Sequence, residues 1–358
     1  MSRPVRALVD TQALHANLEC VRTAAPQARV LAVVKANGYG HGLLRTARTL
    51  QTADAFGVAS LDEAVALREA GFSQPILLLA GFFYEDELDT ISSLRLHIVV
   101  HHESQLAALE RARLDSPVYV WLKIDSGMHR LGFPPERAAE VHLRLRNCAQ
   151  VEPEVRLMTH LANADAREDA ATPDQLGVFQ RAVEGLAGER SIANSAAILG
   201  WPHTHADWVR PGLMLYGVNP FTAGVASDVG LRAAMSLTSR LIAINHHRRG
   251  DAIGYGGDYR CPENMPIGVI AIGYGDGYPR AAVTGTPVLV SGRRVTLVGR
   301  VSMDLVTVDL RNHPRAAVGD EAILWGSDLP VEEVARCAAT IPYELLCRVA
   351  ARVPIHEV

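Results

Sequence analysis

VLAVVKANGYGHG, residues 30–42, runs as five apolar residues, stops on Lys35, and places Tyr39 among Gly38, Gly40 and Gly42. A near-continuous apolar run is the pattern of a strand covered on both faces, as in a parallel sheet. Lysine at its end is conspicuous, because Lys35 and Lys123 are the only lysines among 35 basic Lys and Arg residues. An amine can shift its pKa, act as a base and form a covalent bond to a carbonyl, none of which guanidinium does readily.

The same rhythm repeats outward from this stretch. Apolar runs occur at 30–34, 55–59, 76–80, 96–100, 118–124, 155–160, 191–194 and 213–218. Helix signals separate them. Ser60 to Glu63 forms a capping box with Gly71 suited to the C-terminal end. Thr172-Pro173 reads as an N-cap with proline at the first helical position. Pro134-Pro135 introduces a third amphipathic stretch. Eight strand–helix units predict an α/β fold, a (β/α)8 TIM-type barrel over residues 1–225. A doubly wound open sheet would share this periodicity. Beyond 225, strand-like runs split by Gly and Asp turns predict a C-terminal all-β domain over 226–358. The strand-like VRALVD at 5–10 precedes the barrel, so the first strand, within about residues 1–12, can pair with either domain.

Composition narrows the function. The chain has 358 residues, 48% hydrophobic, and a net charge of −4, which supplies no broad basic face for nucleic acid. No segment is apolar over a membrane's thickness, and the start MSRPVRALVD lacks a secretory apolar core. Five separated cysteines without a C-x-x-C pair read as reduced, mostly buried thiols of a cytoplasmic protein, with no metal site.

In a parallel barrel the chemistry collects at the C-terminal ends of strands. Those ends carry Lys35 with Tyr39, His160, Asn194-Ser195, and the Arg210-Pro211-Gly212 turn. An amine, an imidazole, a hydroxyl beside backbone amides and a guanidinium suit a phosphate-bearing carbonyl cofactor, pyridoxal 5'-phosphate. Singly, His160 reads equally well as a core histidine, and Asn194-Ser195 as a plain helix cap. His41 reads as a structural hydrogen-bonder. The pairs His101-His102 and His246-His247 read as surface or loop residues, and Arg248-Arg249 as a turn. In the second domain Tyr274 lies in a Gly-rich turn after an apolar strand, and Met303-Asp304 reads as strand interior, where methionine is usually core.

The chain resembles the alanine racemases of the fold-type III pyridoxal phosphate enzymes almost end to end. The likeness rests on AVVKANGYGHG (32–42), WLKIDSGMHRLGF (121–133), MTHLANAD (158–165), NSAA (194–197), VRPGLMLYG (209–217), GYGDGYPR (273–280), GRVSMD (299–304) and PYELLC (342–347). The resemblance implies that Lys35 carries the cofactor and is one catalytic base. It implies that Tyr274 is the opposing base, reaching the site from the other subunit of a homodimer. Arg210 would face the pyridine nitrogen. Tyr39, Ser195, the backbone at Gly212 and Leu213, and Tyr343 would hold the phosphate, with Asn194 among the cofactor-binding residues. Arg130 and Met303 would hold the substrate carboxylate, and His160 would link Tyr274 to Arg210. Lys123 matches a position carbamylated in some members, where it orients the arginine. Asp165 and Arg300 match positions along the substrate's approach, with Asp304 and Tyr255 in support.

Interconversion of L- and D-alanine removes a proton from one face of Cα and returns one to the other, so two opposed bases suffice. Lysine and tyrosine ordinarily titrate near 10.4 and 10, so each needs help from its surroundings near neutrality. Turnover of serine, or decarboxylation on the same fold, are the rival activities. Decarboxylases of this plan pair the pyridine nitrogen with an acidic residue, against which Arg210 argues. A carrier without catalysis would have no use for an opposing tyrosine.

Overall fold

The computed structural model describes residues 3–358. Its chain divides into two compact units. One contains residues 15–215 and 220–223; the other contains the segment up to Leu14, residues 216–219 and everything from Gly224.

Strand β1 (Arg6–Val9) comes first in the chain. The first unit is then built on β2 (Arg29–Val33), β3 (Ala55–Val58), β4 (Ile76–Leu78), β5 (His97–Val100), β6 (Tyr119–Lys123), β7 (Arg156–Met158), β8 (Arg190–Asn194) and β9 (Trp208–Arg210). All eight pair in parallel with their neighbours, and β2 pairs with β9 to close the barrel. Val30, Leu31, Ala32, Phe56, Val58, Ile76, Leu78, Ile98 and Val120 are buried, each large side chain contributing about 1.5–3 kcal/mol by leaving water. Closure excludes the doubly wound alternative. Ser60 caps its helix as expected, its hydroxyl accepting from the Glu63 N–H at 3.4 Å.

The eighth strand lies upstream of where the apolar pattern puts it. It is Trp208–Arg210, and Leu213–Tyr216 instead curl into a 3-10 turn. Pro211 has no N–H to continue the ladder, although its carbonyl still accepts from Val33. The run LMLY is apolar because all four residues are buried, not because they are extended. The helix expected from Thr172-Pro173 begins at Ala171, where the Asp169 carboxylate accepts from the Ala171 N–H, so Thr172 does not cap it.

The second unit is a sheet of β1, β10 (Met235–His247), β13 (Met265–Ile270), β14 (Pro287–Val290), β15 (Arg293–Leu297), β16 (Val306–Asp309), β17 (Glu321–Trp325) and β18 (Ile355–Glu357). Their order is β13-β16-β15-β14-β17-β10-β1-β18. The 13-residue β10 also pairs with β13, joining the far end of that order back to its middle. β1 runs antiparallel to β10 and parallel to β18, so this strand belongs to the second unit. A small separate ribbon pairs β11 (Ala252–Ile253) with β12 (Tyr259–Arg260). The unit is not purely β: Val331–Cys337 and Pro342–Cys347 are helices. Met303-Asp304 is not strand interior. It sits in the loop between β15 and β16, and Met303 is 54% exposed.

Of the five cysteines only Cys261 is buried; Cys20, Cys148 and Cys337 are half-buried and Cys347 is exposed. Among the described residues no group of His, Cys, Asp or Glu side chains is arranged to hold a metal, and no helix is long and apolar enough to cross a membrane.

Candidate active site at the barrel mouth

Lys35 leaves β2 into an unusual backbone. Ala36, Asn37, Gly38 and Tyr39 have φ of 54°, 54°, 61° and 50°, a single left-handed turn. L-residues disfavour this by about 1–2 kcal/mol each, with glycine and asparagine the exceptions. Hydrogen bonds hold it: Gly38 N–H to the Val34 carbonyl at 2.8 Å, and Gly42 N–H to the Asn37 carbonyl at 2.8 Å. The Asn37 side-chain oxygen accepts from the Leu43 N–H at 2.8 Å, tying the turn to the next helix. His41 is buried with Nδ1 at 3.1 and 3.0 Å from the Gly38 and Tyr39 carbonyls. Burial lowers its pKa to about 4, so the ring is neutral and Nδ1 donates.

Arg210, the last residue of β9, is buried and held on several sides. One terminal nitrogen donates to Ser191 Oγ at 2.7 Å. The other donates to the Thr159 carbonyl at 2.6 Å, the Ile192 carbonyl at 3.2 Å and His160 Nδ1 at 3.3 Å. None of these bonds uses Nε. Burial lowers the guanidinium to about 10, still cationic at neutral pH. His160 must present an unprotonated Nδ1 to Arg210, which puts its proton on Nε2. Burial, then the charges of Arg210, Lys123, Arg130 and Lys35, hold His160 well below its ordinary pKa.

Ser195 gathers the loop after β9. Its Oγ accepts from Gly212 N–H at 2.9 Å and Met214 N–H at 3.3 Å, which leaves its own hydrogen to donate. A Cβ on Gly212 would lie 2.6 Å from the Tyr39 hydroxyl, so glycine is what lets Tyr39 sit against this loop. Asn194 caps the short helix that follows, accepting from Ala197 N–H at 3.1 Å. Leu213 opens the buried 3-10 turn. Tyr39, Ser195 and Gly212 therefore share one corner of the barrel mouth.

Lys123 ends β6 and is buried. Desolvation, then Arg210, Arg130 and Lys35, lower its amine to about 8, with Asp125 opposing. Asp125 accepts from Gly127 N–H at 3.1 Å and His129 N–H at 3.0 Å, shaping the exposed loop that carries Arg130. Burial raises the Asp125 pKa, but those two N–H bonds, together with the His129 side chain, hold the carboxyl below its usual range. Asp165 lies in the loop beyond β7, where its carbonyl accepts from Thr222. The barrel thus brings Lys35, Lys123, Arg130 and Arg210 close enough to depress one another's neighbours, a mouth that calls for anions.

The remaining expected residues belong to the second unit. Tyr274 is 41% exposed on a 3-10 turn, and its N–H donates to the Ser302 carbonyl at 3.1 Å, beside Met303. Asp304 accepts from Arg3 and Arg352. Tyr255 is exposed on another turn, against which Arg300 lies while paired with Asp258. Tyr343 is on the helix Pro342–Cys347.

The structure adds Ser191 and Thr159, which fix Arg210 and which sequence reasoning passed over. Their signal was available: Ser191 is a buried polar residue in an apolar strand, and Thr159 adjoins His160.

Residues 9–220 match the family described as "Alanine racemase, N-terminal domain", and residues 234–357 match "Alanine racemase, C-terminal domain". The chain belongs to the alanine racemase family. A curated alanine racemase of Nitrosococcus oceani is 57% identical over 98% of both chains. The biosynthetic alanine racemase of Escherichia coli K12 is 51% identical, again over 98% of both. The crystal structure of biosynthetic alanine racemase from Pseudomonas aeruginosa superposes with a TM-score of 0.97 at 46% identity, covering 99% of each chain. As an alanine racemase family member this chain is an isomerase, an amino-acid racemase.

Proposed function

We propose that the chain interconverts L- and D-alanine at the barrel mouth, with pyridoxal 5'-phosphate bound there. The observation that carries this is the convergence of Lys35 with the buried, multiply held Arg210 in a mouth of four cations. The residues fit the cofactor: Ser195 Oγ accepts two N–H bonds and keeps its own hydrogen to donate, and it stands beside the Tyr39 hydroxyl and Gly212, a polar corner suited to a phosphate. When bound, the cofactor supplies an electron-withdrawing ring that acidifies the α-hydrogen of alanine.

Lys35 holds the cofactor and moves the proton at Cα on one face. Tyr274 of the partner subunit does so on the other, which makes the working form a homodimer with shared sites. The exposure of Tyr274 and Met303 supports that reading. Arg210, cationic at neutral pH, would lie against the bound cofactor's ring nitrogen and disfavour its protonation. That disfavours transamination and decarboxylation. Asn194 and the Leu213 turn support the phosphate corner, with Tyr343. Arg130 binds the substrate carboxylate, assisted by the Met303 amide and oriented by Lys123. Asp165, Arg300, Asp304 and Tyr255 shape the approach. The names of the relatives favour a biosynthetic role.

Purified protein given the cofactor and L-alanine in deuterated water should label Cα and lose optical rotation, and Lys35→Ala should abolish both. Mixed Lys35→Ala and Tyr274→Phe subunits should recover activity through hybrid sites. Label without racemisation would refute the two-base reading, and absence of rescue after proven subunit exchange would refute the shared site.

A further inference from the structure

Asp276 is the least exposed carboxyl group of the second unit, with a side chain fully excluded from solvent. It lies two residues beyond Tyr274. One of its oxygens accepts from Gly273 N–H at 3.0 Å and from Arg3 at 2.9 Å; the other faces Arg352 Nε at 2.8 Å. The same two arginines also reach the Met303 loop. Arg3 donates to the Asp304 carboxylate and carbonyl at 3.2 Å each, and Arg352 donates to the Asp304 carboxylate at 2.7 Å. Asp276 and its two arginines accordingly tie segments from both ends of the chain to the Tyr274 turn and the Met303 loop.

The consequence for Met303 follows from peptide geometry. Tyr274 N–H donates to the Ser302 carbonyl at 3.1 Å, and Gly275 N–H to the Met303 carbonyl at 2.8 Å. In a trans peptide C=O and N–H point in opposite directions. Fixing the Ser302 carbonyl therefore aims the Met303 N–H away from the Tyr274 turn. Glycine at 273 is required, because a Cβ there would collide with the Ser302 and Met303 backbone. A Cβ on Gly275 would meet the Arg352 guanidinium at 2.6 Å.

We infer that Asp276, with Arg3 and Arg352 as its counter-cations, is a positioning residue that locks the Tyr274 turn and the Met303 loop into one rigid body, so that the phenol and the Met303 amide are delivered to the active site together. This rests on the two-base reading above. Neither Asp276 nor the arginines touch substrate in it; they set where Tyr274 stands when a proton passes. A misplacement of about 1 Å at such a group costs on the order of 100-fold in rate.

The test is the primary isotope effect on kcat/KM, measured with α-deuterated L-alanine and α-deuterated D-alanine on the holoenzyme. The variants are Asp276→Asn, Arg352→Lys and Tyr274→Phe. Because the two enantiomers have equal free energy, kcat/KM must fall equally in both directions, so rates alone cannot locate the damaged step. Isotope effects can. With Tyr274 serving the L face, Asp276→Asn should raise the effect for L-alanine and lower it for D-alanine, in the same sense as Tyr274→Phe. KM for alanine should rise as well, through Met303. Arg352→Lys, which keeps the charge and loses the fork, should shift the effects the same way but less, and it supplies the reading if Asp276→Asn does not fold. A slower enzyme with both isotope effects unchanged reduces the cluster to scaffold and overturns the inference. If Tyr274→Phe itself leaves the effects unchanged, the role of Tyr274 falls first and the inference with it.

Discussion

Lys123 shows how one side chain's chemistry depends on its neighbours. It is buried at a strand end among Arg210, Arg130 and Lys35, and its amine is lowered to about 8. A substantial neutral fraction near physiological pH is what reaction with carbon dioxide needs, and the resulting negative carbamate would face a cationic mouth instead of adding to it. Intact protein in bicarbonate should therefore gain the mass of one carbon dioxide, and Lys123→Ala should not. Lys123→Ala should also raise KM for alanine roughly tenfold, the loss of about one charge-assisted hydrogen bond's worth of orientation at Arg130. An unmodified mass for the wild-type chain in bicarbonate would leave Lys123 as a bare amine. Ser191 and Thr159 belong to the same scale: without their oxygens Arg210 would be a buried cation short of partners.

At the scale of elements, the left-handed turn after β2 and the loop after β9 meet where Tyr39 lies against Gly212. Gly212→Ala puts a methyl group 2.6 Å from the phenol oxygen and 3.3 Å from the ring carbon that bears it. The ring must move, which opens the corner formed with Ser195. The expected result is a fall of roughly tenfold in cofactor affinity, the worth of one misplaced hydrogen bond, read by fluorescence titration. Undiminished affinity would mean that Tyr39 plays no part in holding the phosphate. The turn itself illustrates strain kept at a site: Ala36 and Tyr39 remain left-handed because the Gly38 and Gly42 bonds and the Asn37 cap over-determine them.

For the molecule as a whole, buried histidines govern acid stability. Burial lowers His41 to about 4 and His97 to about 3, the latter also through Arg156 and Arg68, and His160 lies well below its ordinary value too. The unfolded chain binds these protons near pH 6.5, so it holds more of them than the folded state below that pH. Stability is then lost as pH falls from about 6.5 toward 4, by up to about 1.4 kcal/mol per pH unit for each histidine. Urea midpoints between pH 7 and pH 5 should decline, and His97→Gln should flatten the slope. His97 Nδ1 accepts from Trp121 Nε1 at 3.2 Å, and glutamine retains an acceptor for that indole. A midpoint that is flat over this range would show that these histidines are protonated in the folded protein.

The sequence by itself determined the barrel class, the β-rich second unit and the ring of chemistry-bearing residues at strand ends, because parallel strands are buried on both faces and announce themselves as apolar runs. It also held the motifs that name the family. It could not place the eighth strand, because burial makes the 3-10 turn at Leu213–Tyr216 as apolar as a strand while Trp208–Arg210 is only three residues long. It missed that Met303 stands in an exposed loop, that only Cys261 among the cysteines is buried, and that Lys35 opens a left-handed turn. Those outcomes are decided by partners far away in the chain. The Met303 loop takes its shape from Tyr274, Arg3 and Arg352, and Arg210 its orientation from Ser191 and Thr159. Local sequence specifies which groups can bond; only tertiary closure decides which of them meet.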